Sequence, residues 1–335
     1  SDVALPISME MALKAADWDG FAKRRAEAKA RGKLRGIGMG FFIEGAGGRP
    51  IEEMKVRVTK TGKVEIVCGT YSHGQGHETV YAQLINEFMG LPLDDVTLIQ
   101  GDTDVMPDNA AGTFGSRSSM MGGVGIKKSC EIVVEKGKQI AGHLLQAPPS
   151  EVSFADGVFK AKASSVTFAE VAKAAYDPSK LPDGVPPGLE GSFLYKRRGE
   201  NDQNYPNGCH IAEVEVDPDT GHIDVVKFTA VDDCGVVLNP FIVHGQMHGG
   251  IAQGLGQALF ENVAYDPQSG QLLTGSYMDY CMPRAYNLPH MNLGFNEIPS
   301  VMNELGVKGA GEAGCCGAPS AIVHATIDAL KEVGI

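Results

Sequence analysis

Four glycine-rich clusters carry most of the side chains in this sequence that could bind a ligand. They comprise residues 71–77, residues 111–117 with 122–123, residues 245–250 with 253–256, and residues 306–314. Glycine lets the backbone approach a ligand and present amide N–H groups, which suits anions near helix N-termini. Gln75, Gln246 and Gln253 add amide donors and acceptors. One such cluster alone favours turns or close helix packing, but four together predict a site for one large ligand with a phosphate tail and a heteroaromatic edge.

Glu312 is the candidate for acid–base chemistry. It is the only charged side chain between Gly309 and Gly314, and an apolar helix is expected to follow over residues 318–330. Desolvation against a ligand would raise its pKa toward the range that a general base needs. Alternatively, the carboxylate offsets the dipole of that helix, which contributes about 0.3–1 kcal/mol. The residues alone leave both interpretations open.

Other candidate constellations favour structural roles. His73 and His77 are four residues apart, but the intervening Gly-Gln-Gly argues against a helical zinc site. The Asp232–Asp233 pair is typical of a cap or turn, and the vicinal pair Cys315–Cys316 is typical of packing. The sequence contains neither a P-loop nor a strand followed by G-x-G-x-x-G and a helix.

The hydrophobic pattern predicts the elements that position these clusters. In the first half a helical segment (8–31) precedes a strand (37–44), a hairpin with a Thr-Gly turn (54–68) and a helix (77–89). The second half repeats the order, with a hairpin over 212–228, a longer loop leading to Gly245-Gln246, and a helix over 251–261. This repeat predicts an internal duplication and an α+β fold with two similar subdomains of mixed sheet and helix.

The same pattern suggests domain boundaries. We expect an N-terminal helical segment, a first subdomain, a loop-rich connection marked by prolines, and a second subdomain with the Glu312 cluster; these span residues 1–33, 34–147, 148–205 and 206–335.

Composition and charge exclude several function classes. Lys and Arg number 29 and Asp and Glu 41, a net charge of −12 that argues against nucleic acid or an anionic membrane as a partner. The basic residues between Lys23 and Arg35 are expected to form a solvated helix face. No apolar run approaches the roughly 20 residues of a membrane span, and no signal peptide is recognisable. Seven scattered cysteines favour a reducing compartment, and we expect a cytoplasmic protein.

Six stretches of the chain resemble the large subunit of the xanthine dehydrogenase, aldehyde oxidase and carbon monoxide dehydrogenase family. They are GTYSHGQGHET (69–79), TFGS (113–116), DDCG (232–235) with Asn239-Pro240, GQMHGGIAQGLG (245–256), YMDYCMP (277–283) and GVKGAGE (306–312). They occur in family order and cover nearly the whole chain. The sequence TFGSR resembles the carbon monoxide dehydrogenase-like branch in particular.

The resemblance implies a molybdenum cofactor and assigns roles to individual residues. Molybdenum would be held by the dithiolene sulfurs of molybdopterin, or of its cytosine dinucleotide form, with no protein side chain as metal ligand. The residues implied to contact the cofactor are Gly74, Gln75, Gly76, Thr113, Phe114, Gly115, Ser116, Gln253 and Gly311. Glu312 would be the base that deprotonates a hydroxyl on the metal, and this oxygen, derived from water, would hydroxylate the substrate.

The resemblance also implies partners. The family's large subunit is more than twice as long, so the N-terminal half that carries further cofactor and substrate contacts lies outside this sequence. Neither an iron–sulfur cysteine pattern nor a flavin motif is present, which implies FeS and FAD partner subunits. We therefore expect the isolated chain to be inactive and to bind little molybdenum. The alternatives are a non-catalytic relative that binds a pterin or nucleotide, and a structural module without a ligand.

Overall fold

The computed structural model describes residues 4–197 and 203–335. Residues 1–3 and 198–202, which belong to the predicted N-terminal segment and connection, lie outside the described residues. The helices are α1 (Ala4–Ala16), α2 (Phe21–Ala30), α3 (His77–Met89), α4 (Val124–Leu145), α5 (Phe168–Ala175), α6 (Pro240–Leu259) and α7 (Ala313–Leu330). The strands are β1 (Leu34–Ile43), β2 (Ile51–Val58), β3 (Val64–Cys68), β4 (Val96–Ile99), β5 (Ser153–Ala155), β6 (Val158–Ala161), β7 (Ser164–Thr167), β8 (Leu189–Lys196), β9 (Asn207–Val216), β10 (Ile223–Asp233) and β11 (Met291–Phe295).

The chain forms two compact units that are discontinuous in sequence. Unit 1 comprises the described residues of Ser1–Ala46, Asn204–Val301 and Gly306–Ile335. Unit 2 comprises those of Gly47–Gln203 and Met302–Leu305. These units differ from the four consecutive segments expected from the sequence. The segment 148–205 is also not simply a loop-rich connection, because its described part holds the sheet β5-β6-β7, helix α5 and strand β8.

The two units share one sheet topology, which supports the predicted duplication. The sheet of unit 2 has the order β4-β3-β2-β8, and that of unit 1 the order β11-β10-β9-β1. In each, a central antiparallel hairpin has a parallel strand on one side and an antiparallel strand on the other. A helix connects the hairpin to the parallel strand, and a second helix follows and packs on the sheet. The α+β fold with two similar subdomains is thus confirmed.

The outer antiparallel strands are exchanged between the two repeats. Strand β1 directly precedes the β2–β3 hairpin in the chain, yet it pairs with β9 from Leu34↔Val216 to Ile43↔Asn207. Strand β8 directly precedes the β9–β10 hairpin, yet it pairs with β2. Each unit therefore completes its sheet with the strand that precedes the other hairpin, which is why the units are not consecutive segments.

Small residues allow helix α7 to lie directly on the sheet of unit 1. Gly36, Gly38 and Gly40 occupy alternate positions of β1, and a Cβ at any of them would overlap atoms of α7. The helix presents small side chains there, among them Ala321 and Ala325, both fully buried. Around this contact, apolar side chains of β9, β10, α6 and α7 form the core of the unit. The glycines of β1 therefore set the position of the helix that begins next to Glu312.

A methyl group at Gly38 should destabilise unit 1. The added Cβ of Gly38→Ala would overlap backbone atoms of Ala321 and Ala325, which cannot move without shifting the helix. Overpacking of this kind costs about 1–3 kcal/mol, measurable by urea unfolding of the chain. The matched control is Gly249→Ala on the exposed side of α6, where a Cβ meets nothing within 4 Å and improved helix propensity should add up to about 1 kcal/mol. Equal stabilities for the two variants would contradict this account of the packing.

The third glycine-rich cluster lies inside a helix, which corrects the expected loop. Helix α6 begins at Pro240, where the side chain of Asn239 accepts a hydrogen bond from Ile242 N at 3.0 Å, so residues 245–250 are helical. A Cβ at Gly250 would lie 2.9 Å from Cys315 N, and one at Gly254 would lie 2.8 Å from the Cβ of Ala318. These two glycines let α6 and α7 approach closely.

The basic cluster is not simply a solvated helix face. The guanidinium groups of Arg24 and Arg35 each lie 2.7 Å from a carboxylate oxygen of Glu213 on β9, whose side chain is 1% exposed. Arg25 pairs with Asp328 near the end of α7, whereas Lys23 is exposed. Part of the cluster thus neutralises the buried carboxylate of Glu213 and the partly exposed one of Asp328. In addition, no helix among the described residues is long and apolar enough to cross a membrane.

Candidate functional site

The first predicted cofactor loop, residues 69–76 of unit 2, joins β3 to α3. Gly74 has φ +98° and open space where a Cβ would be. Gly76 has φ +79° and is the N-cap of α3, where it offers no side chain to the first N–H groups of the helix. The amide of Gln75 turns back into its own loop, because its Oε1 accepts from His73 N and its Nε2 donates to Tyr71 O at 3.2 Å. The glycines therefore leave backbone accessible, while Gln75 holds the loop and keeps one N–H and further acceptor capacity for a ligand.

Buried polar groups form a floor beneath this loop. The carbonyl of Thr70 accepts a 2.8 Å hydrogen bond from His77 Nδ1, and the Thr70 hydroxyl accepts one of 2.7 Å from Tyr81. The rings of His77 and Tyr81 stack with centroids 5.0 Å apart. Burial lowers the pKa of His77 and raises that of Tyr81 well above its usual value, so both are neutral at pH 7. These neutral groups position the loop without adding charge to it.

Among residues 4–197 and 203–335, no group of three or more metal-ligating side chains occurs.

The second predicted loop, residues 113–116, lies beside the first within unit 2. The hydroxyl of Thr113 donates to Tyr71 O at 2.7 Å and thereby joins the two loops. Gly115 and Ser116 both adopt left-handed backbone conformations, with φ of 59° and 54°. Such a conformation is uncommon for serine. Phe114 is 48% exposed. Seven of the predicted cofactor-contacting residues therefore lie on these two loops, which the Thr113–Tyr71 hydrogen bond joins.

A buried ion pair holds the second loop from below. Arg117 and Glu52 are both 0% exposed, and Arg117 Nη1 donates to Glu52 Oε2 and, at 2.6 Å, to Gly112 O. Its Nη2 donates to the carbonyl oxygens of Arg49 and Ile51. Desolvation raises the pKa of Glu52, and the hydrogen bond and charge of Arg117 oppose that shift. This pair could not be predicted from the sequence, because nothing in the local pattern marks Glu52 as the partner of a residue 65 positions away.

In unit 1, the segment that leads to Glu312 is anchored on the end of β10. Lys308 N donates to Cys234 O at 2.8 Å, and Val236 N donates to Gly306 O at 3.0 Å. The ammonium group of Lys308 pairs with the carboxylate of Asp233, which also accepts from Gly235 N at 2.9 Å. Asp233 thus stabilises a turn, as expected for the acidic pair. It also pairs with Lys308, the basic residue that precedes Glu312 by four positions.

Glu312 is the N-cap residue of α7 and is exposed, as is its neighbour Gly311. Its side chain makes no capping hydrogen bond to the helix. The desolvation expected for Glu312 against a ligand stays a prediction. Gln253 is also exposed, on the helical surface of α6 and not in a loop.

The vicinal cysteines beside Glu312 are free thiols. Cys315 is half-buried, whereas Cys316 is exposed, so packing does not account for the second one. Burial raises the pKa of Cys315, and burial together with nearby carboxylates raises that of Cys316 to about 11. Both thiols therefore stay protonated at neutral pH and are poor nucleophiles and metal ligands.

Comparison with known proteins identifies the family. Residues 11–289 match the molybdopterin cofactor-binding domain. The chain belongs to this family. It is 36% identical to the nicotine 6-hydroxylase large subunit of Paenarthrobacter nicotinovorans over 95% of its own length and 40% of the relative. It is 33% identical to the carbon monoxide dehydrogenase large chain of Afipia carboxidovorans, over 97% of the chain and 42% of the relative.

Solved structures show the same relationship. Quinoline 2-oxidoreductase from Pseudomonas putida 86 superposes with a TM-score of 0.86 and 36% identity, covering 98% of this chain and 43% of that one. The resemblance inferred from the motifs is thus confirmed, including its carbon monoxide dehydrogenase-like relatives. The chain spans about two fifths of the length of the relatives that it matches.

Proposed function

We propose that this chain is the molybdopterin-binding part of a molybdenum hydroxylase, an oxidoreductase that hydroxylates a small substrate with oxygen from water. The observation that carries the proposal is the 36% identity to a hydroxylase large subunit across 95% of the chain. Because the chain spans only 40% of that relative, residues outside this sequence would complete the large subunit. Hydroxylation with oxygen from water releases two electrons, which FeS and FAD groups on partner chains would accept. The seven free thiols support a cytoplasmic location for the assembly.

The residues of unit 2 fit a pterin with a phosphate arm. The open space at Gly74 lets a ligand approach the backbone, and the N-terminus of α3 at Gly76 presents N–H groups that favour an anion. The exposed ring of Phe114 offers an apolar surface for a heteroaromatic group. The residues of unit 2 that would hold the cofactor are Gly74, Gln75, Gly76, Thr113, Phe114, Gly115 and Ser116. The cofactor contacts implied for Gln253 and Gly311 stay predictions from the sequence.

Glu312 would handle the proton of the reaction. When bound, the cofactor supplies the two-electron redox centre and the Lewis acid. The carboxylate of Glu312 would act as the general base that accepts a proton as the water-derived oxygen is transferred. Its exposure leaves it accessible to a reacting group. Since Lys308 is engaged with Asp233, that cation does not neutralise the base.

The test is purification of the assembled enzyme that contains this chain, followed by assay of molybdenum, pterin and turnover. We expect about one molybdenum and one pterin per chain and reduction of an artificial electron acceptor by an aldehyde, an N-heterocycle or carbon monoxide. Reaction in ¹⁸O-labelled water should place the label in the product. The nucleotide released on acid hydrolysis distinguishes the cytosine dinucleotide form from simple molybdopterin. The chain purified alone should contain little molybdenum, and an assembled enzyme without pterin would contradict the proposal.

A further inference from the structure

Arg197, which follows β8 in unit 2, is a buried cation that has no counter-charge among residues 4–197 and 203–335. Its side chain is 9% exposed. Nη2 donates to Gly48 O at 2.9 Å, but Nε and Nη1 have no hydrogen-bond partner among the described residues, 4–197 and 203–335. No carboxylate in these ranges lies within ion-pair distance of the guanidinium. Three N–H donors and a full positive charge are therefore left unsatisfied in a buried position.

The other buried arginine of this unit shows how unusual that is. Arg117 is also buried, and its two Nη groups bind the carboxylate of Glu52 and three backbone carbonyl groups. Buried charges are normally paired in this way, because removing a charge from water is unfavourable unless a counter-charge replaces the solvent. An unpaired buried guanidinium therefore indicates a missing partner, and an anion would supply both the hydrogen-bond acceptors and the counter-charge.

The position of Arg197 indicates which anion is missing. A Cβ at Gly47 would lie 2.7 Å from Nη1, so glycine at this position allows the guanidinium to lie against the backbone. Gly47 N donates to Gly115 O at 2.8 Å, and a Cβ at Gly48 would lie 2.5 Å from the ring of Phe114. Arg197 thus adjoins the 113–116 loop, which the proposed function assigns to the cofactor.

We propose that Arg197 binds an oxyanion at this place, and that the oxyanion is a phosphate group of the cofactor. This inference rests on the proposed function. The planar, permanently charged guanidinium and its three unused donors match phosphate oxygens in charge and hydrogen-bonding type. The alternative source of an oxyanion is a carboxylate from a partner polypeptide, and the experiment separates the two.

The experiment compares the assembled wild-type enzyme with Arg197→Gln and Arg197→Lys. We expect the glutamine variant to lose pterin at least about tenfold faster on dialysis, since losing a charged hydrogen bond corresponds to a change of that order. The lysine variant keeps the charge but not the donor geometry and should be intermediate. Lys196→Gln, the exposed cation next to Arg197, is the control and should match the wild type.

A second measurement keeps the inference testable if the glutamine variant fails to fold. Inorganic phosphate should raise the thermal midpoint of the cofactor-free wild-type assembly more than chloride at equal ionic strength, and Arg197→Lys should reduce that increase. Wild-type pterin retention in a folded Arg197→Gln variant would overturn the inference, and loss of subunit assembly with pterin retained would assign the residue to a partner carboxylate instead. Absence of pterin from the wild-type enzyme would overturn the proposed function itself.

Discussion

Replacing Glu312 by glutamine in the assembled enzyme should abolish turnover while the cofactor stays bound. Glutamine keeps the size and hydrogen-bonding ability of the side chain but cannot accept the proton. General-base catalysis contributes typically about 10²–10⁴-fold, so kcat should fall by at least about 100-fold. Steady-state kinetics and a molybdenum and pterin assay on the same preparation measure the two quantities.

The alternative role of Glu312 makes a different prediction. If the carboxylate only offsets the dipole of α7, its neutralisation should cost about 0.3–1 kcal/mol of stability and leave kcat unchanged. Glu27→Gln, an exposed carboxylate on α2 of the same unit, is the control for loss of one negative charge. Unchanged kcat in the Glu312→Gln enzyme, or loss of the cofactor together with activity, would refute the assignment as base.

Removing one partner of the Arg117–Glu52 pair should be the most destabilising change in unit 2. Arg117→Met would leave Glu52 buried without its counter-charge and would free the carbonyl groups of Arg49, Ile51 and Gly112. Breaking a buried ion pair in this way costs about 3–5 kcal/mol, which urea unfolding of the chain can measure.

Two further variants separate the charge from the packing. The double variant Glu52→Gln with Arg117→Met should recover part of the loss, because no buried charge then remains unpaired. Arg49→Met, an exposed arginine two residues before β2, should change stability by less than about 0.5 kcal/mol. A loss below about 1 kcal/mol for Arg117→Met would contradict this account, because it would mean that the unpaired Glu52 becomes neutral or hydrated at little cost.

The hairpins and most helices could be predicted from the sequence because their signals are local. Alternating apolar residues and a Thr-Gly turn specify the β2–β3 and β9–β10 hairpins, each within one contiguous stretch of the chain, and the structure confirms both. Helix α6 was misjudged at its start because each glycine in a helix costs about 1 kcal/mol in propensity. Packing on α7 compensates for Gly250 and Gly254, and this gain is invisible in a local pattern.

Part of the candidate site could likewise be predicted from local sequence, and part could not. The glycine clusters and Glu312 were recognisable because their composition is unusual over short windows. The supporting charges were not: Glu52 and Arg117, or Asp233 and Lys308, are far apart in sequence and have no mutual spacing rule. No sequence pattern marks Arg197, because its significance lies in the lack of hydrogen-bond partners for its Nε and Nη1 among the described residues.

The sequence by itself determined the order of elements in each repeat, the prediction that the glycine clusters bind a ligand, and the position of Glu312 next to a helix. Only the tertiary structure decided that β1 pairs with β9 and β8 with β2, that one glycine cluster packs a helix, and which buried charges have partners. The physical reason is range: propensity, turns and periodicity act between neighbours, whereas strand pairing, helix packing and charge burial join residues that become neighbours only when the chain folds.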